Sequence, residues 1–149
     1  MDKIIKLLEG HKIEFRAWNE KQKYMAYQGA PDLEIISSFF HHFGDKKLML
    51  FTGKKDQVNA KIFEADIVKW YGKTSYELDF EHIAVVVWSD EWSGWALYSL
   101  SEGCHGTVPI GDHGAQVSEI LVLGNIYENK ELIVEKKGSS FDIAHEPII

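Results

Sequence analysis

Ala84-Val85-Val86-Val87-Trp88-Ser89-Asp90-Glu91-Trp92-Ser93-Gly94-Trp95-Ala96-Leu97-Tyr98 decides the fold class. β-Branched and aromatic residues fill both arms, and such residues suit a pleated, half-buried surface. Ser89 to Gly94 is polar and ends on glycine, so the segment predicts a β-hairpin. Moving outward, strand-like runs recur at residues 47–52, 66–71, 76–80 and 120–123, separated by polar or glycine-bearing connections. That spacing predicts a mainly β protein, a small barrel-like or sandwich-like domain with one or two short helices. An α+β variant stays open, because Leu33, Ile36, Phe39, Phe40 and Phe43 after Pro31 suit a helix as well as two buried strands.

Towards the N-terminus, Ile4, Ile5, Leu7 and Leu8 lie at helical spacing and close on Gly10, which predicts a short helix over residues 2–9. From Lys12 the period becomes two. Ile13, Phe15 and Ala17 fall on one side and Glu14, Arg16 and Trp18 on the other, and a polar turn then leads to a second run at residues 24–27. This is a second predicted hairpin. Residues 101–118, with glycines at 103, 106, 111 and 114, form the longest irregular piece. The expected organisation is an N-terminal extension over 1–11, a β-rich domain over 12–134 and a C-terminal tail over 135–149 that frays or pairs with another subunit.

The 149 residues suffice for one domain with its own core, and 45% hydrophobic with 26% charged residues exclude disordered, collagen-like and coiled-coil classes. No apolar run approaches the roughly 20 residues of a membrane-spanning helix, and the N-terminal residues lack the long uncharged core expected of a signal peptide. Cys104 is the only cysteine, so no internal disulfide can form. The expectation is a cytoplasmic protein without membrane contact.

The net charge of -7 divides unevenly. Residues 1–75 hold 13 Lys/Arg and 10 Asp/Glu, whereas residues 76–149 hold 3 and 13. Between Thr74 and Asn129 there are nine carboxylates and no basic residue. Arg16 is the single arginine, and arginine is the usual instrument for bidentate phosphate and guanine contacts, so direct nucleic-acid binding is disfavoured.

Three stretches carry a further reading: Ile13-Glu14-Phe15-Arg16-Ala17-Trp18-Asn19, then Phe51-Thr52-Gly53-Lys54-Lys55-Asp56 leading into Ile62-Phe63-Glu64-Ala65-Asp66-Ile67-Val68, then Leu123-Gly124-Asn125-Ile126-Tyr127-Glu128-Asn129. In this order the chain resembles the YopX-like family of phage and prophage proteins of low-G+C Gram-positive bacteria, over about residues 12–133. The resemblance implies a small β-rich intracellular domain encoded by a phage or prophage, with no established enzymatic activity and no catalytic residues. The family's middle motif carries glycines where Ala60 and Ala65 stand, and a leucine where Lys54 stands. Alanine accepts positive φ poorly, so both turns are expected to take a different backbone. Gly53 is suited to positive φ, Asp56 to binding loop amides, and Asp66 to capping the turn before Ile67. These are folding roles first; the rival reading has Arg16, Lys54, Lys55 and Asp56 converge on a polar partner.

Cys104-His105, Asp112-His113 and His41-His42 offer metal-binding groups, but their spacing fits no common zinc signature, and no metal or cofactor is expected. Glu77, Asp79 and Glu81 share one strand face and read as a solvated side. Trp88, Trp92 and Trp95 gather around one turn, where exposed tryptophan commonly anchors a partner. The expected protein-binding residues are thus Arg16, Trp18, Lys54, Lys55, Asp56, Asp90, Glu91, Trp92 and Trp95. The leading expectation is a non-enzymatic accessory protein that works through protein contacts and self-association. The alternatives are an acidic decoy for a DNA-binding protein and a metal-dependent hydrolase built on Cys104, His105, Asp112 and His113.

Overall fold

The computed structural model describes residues 1–9, 13–29, 35–43, 48–73, 79–100, 106–111 and 114–136. The protein is mainly β. One sheet has four antiparallel strands in the order β2 (Tyr24–Tyr27), β1 (Phe15–Asn19), β3 (Leu48–Lys55) and β4 (Lys61–Phe63). The other has five, in the order β8 (Thr107–Pro109), β7 (Gly94–Ser99), β6 (Asp79–Ser89), β5 (Asp66–Lys73) and β9 (Ile120–Asn125), again antiparallel. The described residues also hold three short α-helices, α1 (Asp2–Glu9), α2 (Ile36–Phe43) and α3 (Lys130–Lys136), and one 3-10 turn at Val117–Glu119.

The hairpin that decides the fold class forms in register, with Trp88 opposite Trp95 and Ser89 opposite Gly94. Its apolar arms are continuous because the five-stranded sheet is covered on both faces. Ile67, Ile83 and Val85 join Trp18 and Met49 of the four-stranded sheet in one cluster. Their neighbours Val68, Ala84 and Val86 point the other way, to Ile62, Leu97 and Ile120. A strand buried on both faces loses its polar alternation.

β1 is covered twice in the same manner. Phe15 and Ala17 pack under α2, where Phe39 is fully buried and meets the Phe15 ring edge-on at 4.9 Å. Burial of a side chain like Phe39 contributes about 1.5–3 kcal/mol. The choice left open for residues 31–44 is thus resolved as a helix over 36–43. Arg16 and Trp18 face the opposite way and are also buried.

The runs expected at 76–80 and 84–89 belong, from Asp79 on, to the single strand β6. β4 and α3 lie where no element was expected, and β8 sits inside the piece read as irregular. All three are short, too short for periodicity to register.

The expectation for the Ala65 turn is corrected, whereas Ala60 does not take positive φ and so does not contradict it. Ala65 takes φ 74°, so this turn keeps the left-handed conformation despite its side chain. Ala65 N donates to Val86 O at 2.8 Å, and Ala65 O accepts from Ile126 N at 3.0 Å; both ends of the residue are held by neighbours. In the other turn the positive φ falls on Asn59, at 69°, and asparagine tolerates it. Among the described residues no helix is long and apolar enough to cross a membrane.

Candidate functional site

Between β4 and β5 the chain passes from one sheet to the other in two residues, Glu64 and Ala65. Clefts among the described residues lie around this crossing. Asp66, the first residue of β5, accepts the Phe63 N–H at 2.7 Å through Oδ2, which closes the turn. Its Oδ1 accepts Arg16 Nη2–H at 2.7 Å, and both side chains are 3% exposed. Arg16 Nη2 also donates to Glu64 O at 3.1 Å, and the guanidinium carbon stands 4.7 Å from the centre of the Phe63 ring. One buried cation thus binds the carboxylate, a carbonyl and an aromatic face of the crossing segment.

Burial pushes the Asp66 carboxyl above its ordinary range, against the opposing pull of Arg16 and the Phe63 amide. Burial does the same to Glu64, against the Leu50 amide and Arg16. The Tyr127 phenol is raised by burial first and by the Glu64 charge next.

Two clefts flank the crossing. A polar one of about 430 Å³ is lined by Glu14, Arg16, Gln28, Lys61, Asp66 and Asn125, among others. Arg16 Nε is buried and has no hydrogen-bond partner among the described residues. The Lys61 ammonium is held by Glu14 at 2.7 Å. The second cleft is an apolar groove of about 660 Å³ between the sheets. Ile13, Leu50 and Phe51 form one wall and Trp88 and Trp95 the other, with Glu14 and Glu64 as its charged members. Trp88 is 51% exposed and meets the Trp95 ring edge-on at 5.4 Å. A shallower recess of about 290 Å³, reaching Tyr127, shares Glu64 and Trp88 with this groove.

The residues expected to bind a partner are distributed as follows. Trp95 lies in the groove wall, beside Trp88. Trp92 sits on the turn, 48% exposed, and its Nε1–H donates to Thr107 O at 3.3 Å. Asp90 and Glu91 are exposed on the same turn, and Asp90 Oδ1 accepts the Trp88 indole N–H at 3.1 Å. Trp18, by contrast, is in the core, stacked on Tyr127 at 5.6 Å, with its indole N–H donated to Glu20 at 2.7 Å.

Arg16, Lys54, Lys55 and Asp56 are not brought together at one polar partner. Arg16 is committed to Asp66, while Lys54 and Lys55 end β3 beyond the positive-φ bend at Gly53. Asp56 is buried, and its carboxylate accepts three amides: Val58 at 3.0 Å, Ala60 at 2.9 Å and Val122 at 2.8 Å. That is the folding role read from the sequence, extended by a tie to β9.

The third family stretch has a local logic of the same kind. Asn125 Oδ1 accepts the amides of Tyr127 and Glu128, and Asn129 Oδ1 accepts the Asn125 amide. Together they turn the chain from β9 into α3.

Leu50, Phe51 and Glu64 of the groove were not singled out from the sequence. The only available signal was the alternation in Leu48–Phe51, which says that one side chain in two is turned from the core and not what it faces. Cys104, His105, Asp112 and His113 lie outside the described residues, as does most of the tail over 135–149. Of the nine carboxylates between Thr74 and Asn129, Glu81 and Asp90 stand toward opposite ends of β6.

A family model described as "YopX protein" matches residues 14–134. No curated protein matches the chain. Among solved structures, protein EF1440 from Enterococcus faecalis is similar, with 22% sequence identity and a TM-score of 0.48 over 82% of this chain and 98% of that one.

Proposed function

The chain belongs to the YopX family, and from that premise we propose that it is a phage- or prophage-encoded accessory protein that acts in the host cytoplasm through protein contacts and self-association. The observation that carries this reading is the apolar groove between the sheets. Leu50 is 38% exposed there and Trp88 51%, and Trp92, 48% exposed, lies on the turn of the same hairpin as Trp88. Aromatic residues partly withdrawn in a pocket with a polar rim are the usual anchors of protein interfaces. Burial of Arg16 supports the same reading, since the single guanidinium of the chain is spent inside the fold and is not offered to phosphate.

Light scattering across a concentration series tests self-association, and capture from host lysate tests a second protein. The wild type is expected to self-associate, and alanine at Trp88 and Trp92 to weaken both contacts without lowering the monomer's thermal midpoint by more than a few degrees. A chain that stays monomeric at every concentration and retains nothing from lysate overturns the proposal.

A further inference from the structure

Resting on the self-association reading, we propose that α1 is an exchanged arm: its apolar stripe fills the groove of Leu50, Phe51, Trp88 and Trp95 in a second copy of this chain, and the second copy's α1 fills the first groove in return.

α1 has eight residues and buries none of them. Ile4 is 55% exposed, Ile5 43%, Leu7 70% and Leu8 74%. At about 100° per residue these four side chains cover one arc of roughly 160°, a continuous stripe on one face. Isolated helices shorter than about 12–15 residues are marginal in water, so a helix of this length takes its stability from what covers that stripe. None of the other described residues buries any of its four side chains.

The groove supplies the complementary surface. Its walls are the exposed aliphatic and indole groups of Ile13, Leu50 and Trp88; of its two carboxylates Glu14 is already paired with Lys61, and Glu64 carries the remaining charge. Lys3 borders the stripe of α1 on the Leu7 side and is the cation that the exchanged contact assigns to Glu64. The Glu64 carboxylate is half-buried and accepts one long bond, 3.3 Å, from the Leu50 amide. Burial has already weakened its acidity, and a cation brought to it restores the charged form.

Docking within one chain is the less favourable geometry. Residues 10–12 allow Glu9 to stand at most about 14 Å from Ile13. Ile13 itself lines the groove, so α1 would have to reverse fully within three residues over the residue it has just left. Exchange between two copies needs no reversal and closes two identical contacts about a twofold axis.

The test uses the full chain. Leu7→Glu combined with Leu8→Glu changes two side chains that are 70% and 74% exposed, and urea unfolding checks that the variant keeps the wild-type fold. Light scattering over a concentration series is expected to show a wild-type dimer and a dissociation constant raised by about 100-fold or more in this variant. Lys3→Glu is expected to weaken the dimer by about tenfold, and Glu64→Lys in the same chain to recover most of that loss. The helix variant mixed with Trp88→Ala is expected to give a heterodimer, because one intact helix and one intact groove remain.

A dimer of unchanged affinity in the helix variant overturns the arm while self-association stands. A wild type that is monomeric throughout overturns both. A monomeric wild type that binds phosphatidylglycerol vesicles, with binding lost in the helix variant, overturns the arm in favour of a lipid surface.

Discussion

Arg16 and Asp66 stand on different sheets yet meet at 2.7 Å, each 3% exposed. The pair fixes the place where the chain crosses between sheets, since Arg16 also holds Glu64 O and Asp66 also holds the Phe63 amide. Removing one partner of a buried ion pair costs about 3–5 kcal/mol, much of it the uncompensated charge left behind. Asp66→Ala is expected to fall in that range by urea unfolding, because it strands both the guanidinium and the Phe63 N–H. Arg16→Met is expected to depend on pH. Without the cation, the Asp66 carboxyl rises further above the ordinary 3.8. An acid raised in the folded state binds a proton that the unfolded chain releases, so stability falls as pH climbs from 3.8 to the folded value. Arg16→Met should therefore lose less relative to wild type at pH 5 than at pH 8. An equal loss at both pH values contradicts this account.

Asp56 ties the β3–β4 turn to β9 through three amides. Hydrogen bonds to a charged acceptor contribute about 1.5–3 kcal/mol each, and not additively. Asp56→Ala is expected to cost about 3 kcal/mol or more. Asp56→Asn should recover only part, because its amide would confront the Val122 N–H with another donor. Hydrogen exchange gives the sharper check: the amides of Ala60 and Val122 should lose protection well before those of β6 and β7.

Gly124 is required by a close approach. A methyl group at this position would stand 2.1 Å from Asn129 Oδ1 and 2.4 Å from its Cγ. Asn129 cannot simply swing aside, because its Oδ1 accepts the Asn125 amide at 3.1 Å. Gly124→Ala is expected to cost about 1–3 kcal/mol as an overpacking change. Asn129→Gly opens the space, so the double variant should be more stable than the sum of the single losses predicts. Strict additivity in denaturant titrations counts against the contact.

These positions mark what the sequence made legible. The tryptophan hairpin and the Asp56 loop are local features, and their residue types state the conformation through pairing propensity and side-chain acceptors next to free amides. The Arg16–Asp66 pair is separated by 50 residues. Its arginine alternates with Phe15 and Ala17 as a solvent-facing residue would, and only the second sheet reveals that both faces of β1 are covered. Ala65 misled for a related reason. Propensity disfavours its φ of 74°, but the hydrogen bonds to Val86 and from Ile126 impose it from outside the turn. The groove was half legible, because the hairpin supplies one wall and the other comes from β3 and the residues before β1.

His82 offers the last test. It is 7% exposed and stacks on Trp70 with ring centres 4.7 Å apart. Burial lowers its imidazole below the ordinary 6.5. A base lowered in the folded state leaves the unfolded chain to take up the proton first, so stability declines as pH falls through 6.5 and levels off below the folded value. His82→Phe keeps a ring against Trp70 and removes the titration. The chain has seven histidines, so the quantity to follow is the difference between variant and wild type. His82→Phe is expected to gain stability relative to wild type between pH 7.5 and pH 5.5, measured by urea unfolding at each pH. A difference that stays constant across that range shows that His82 is charged equally in both states and that its burial carries no linked proton.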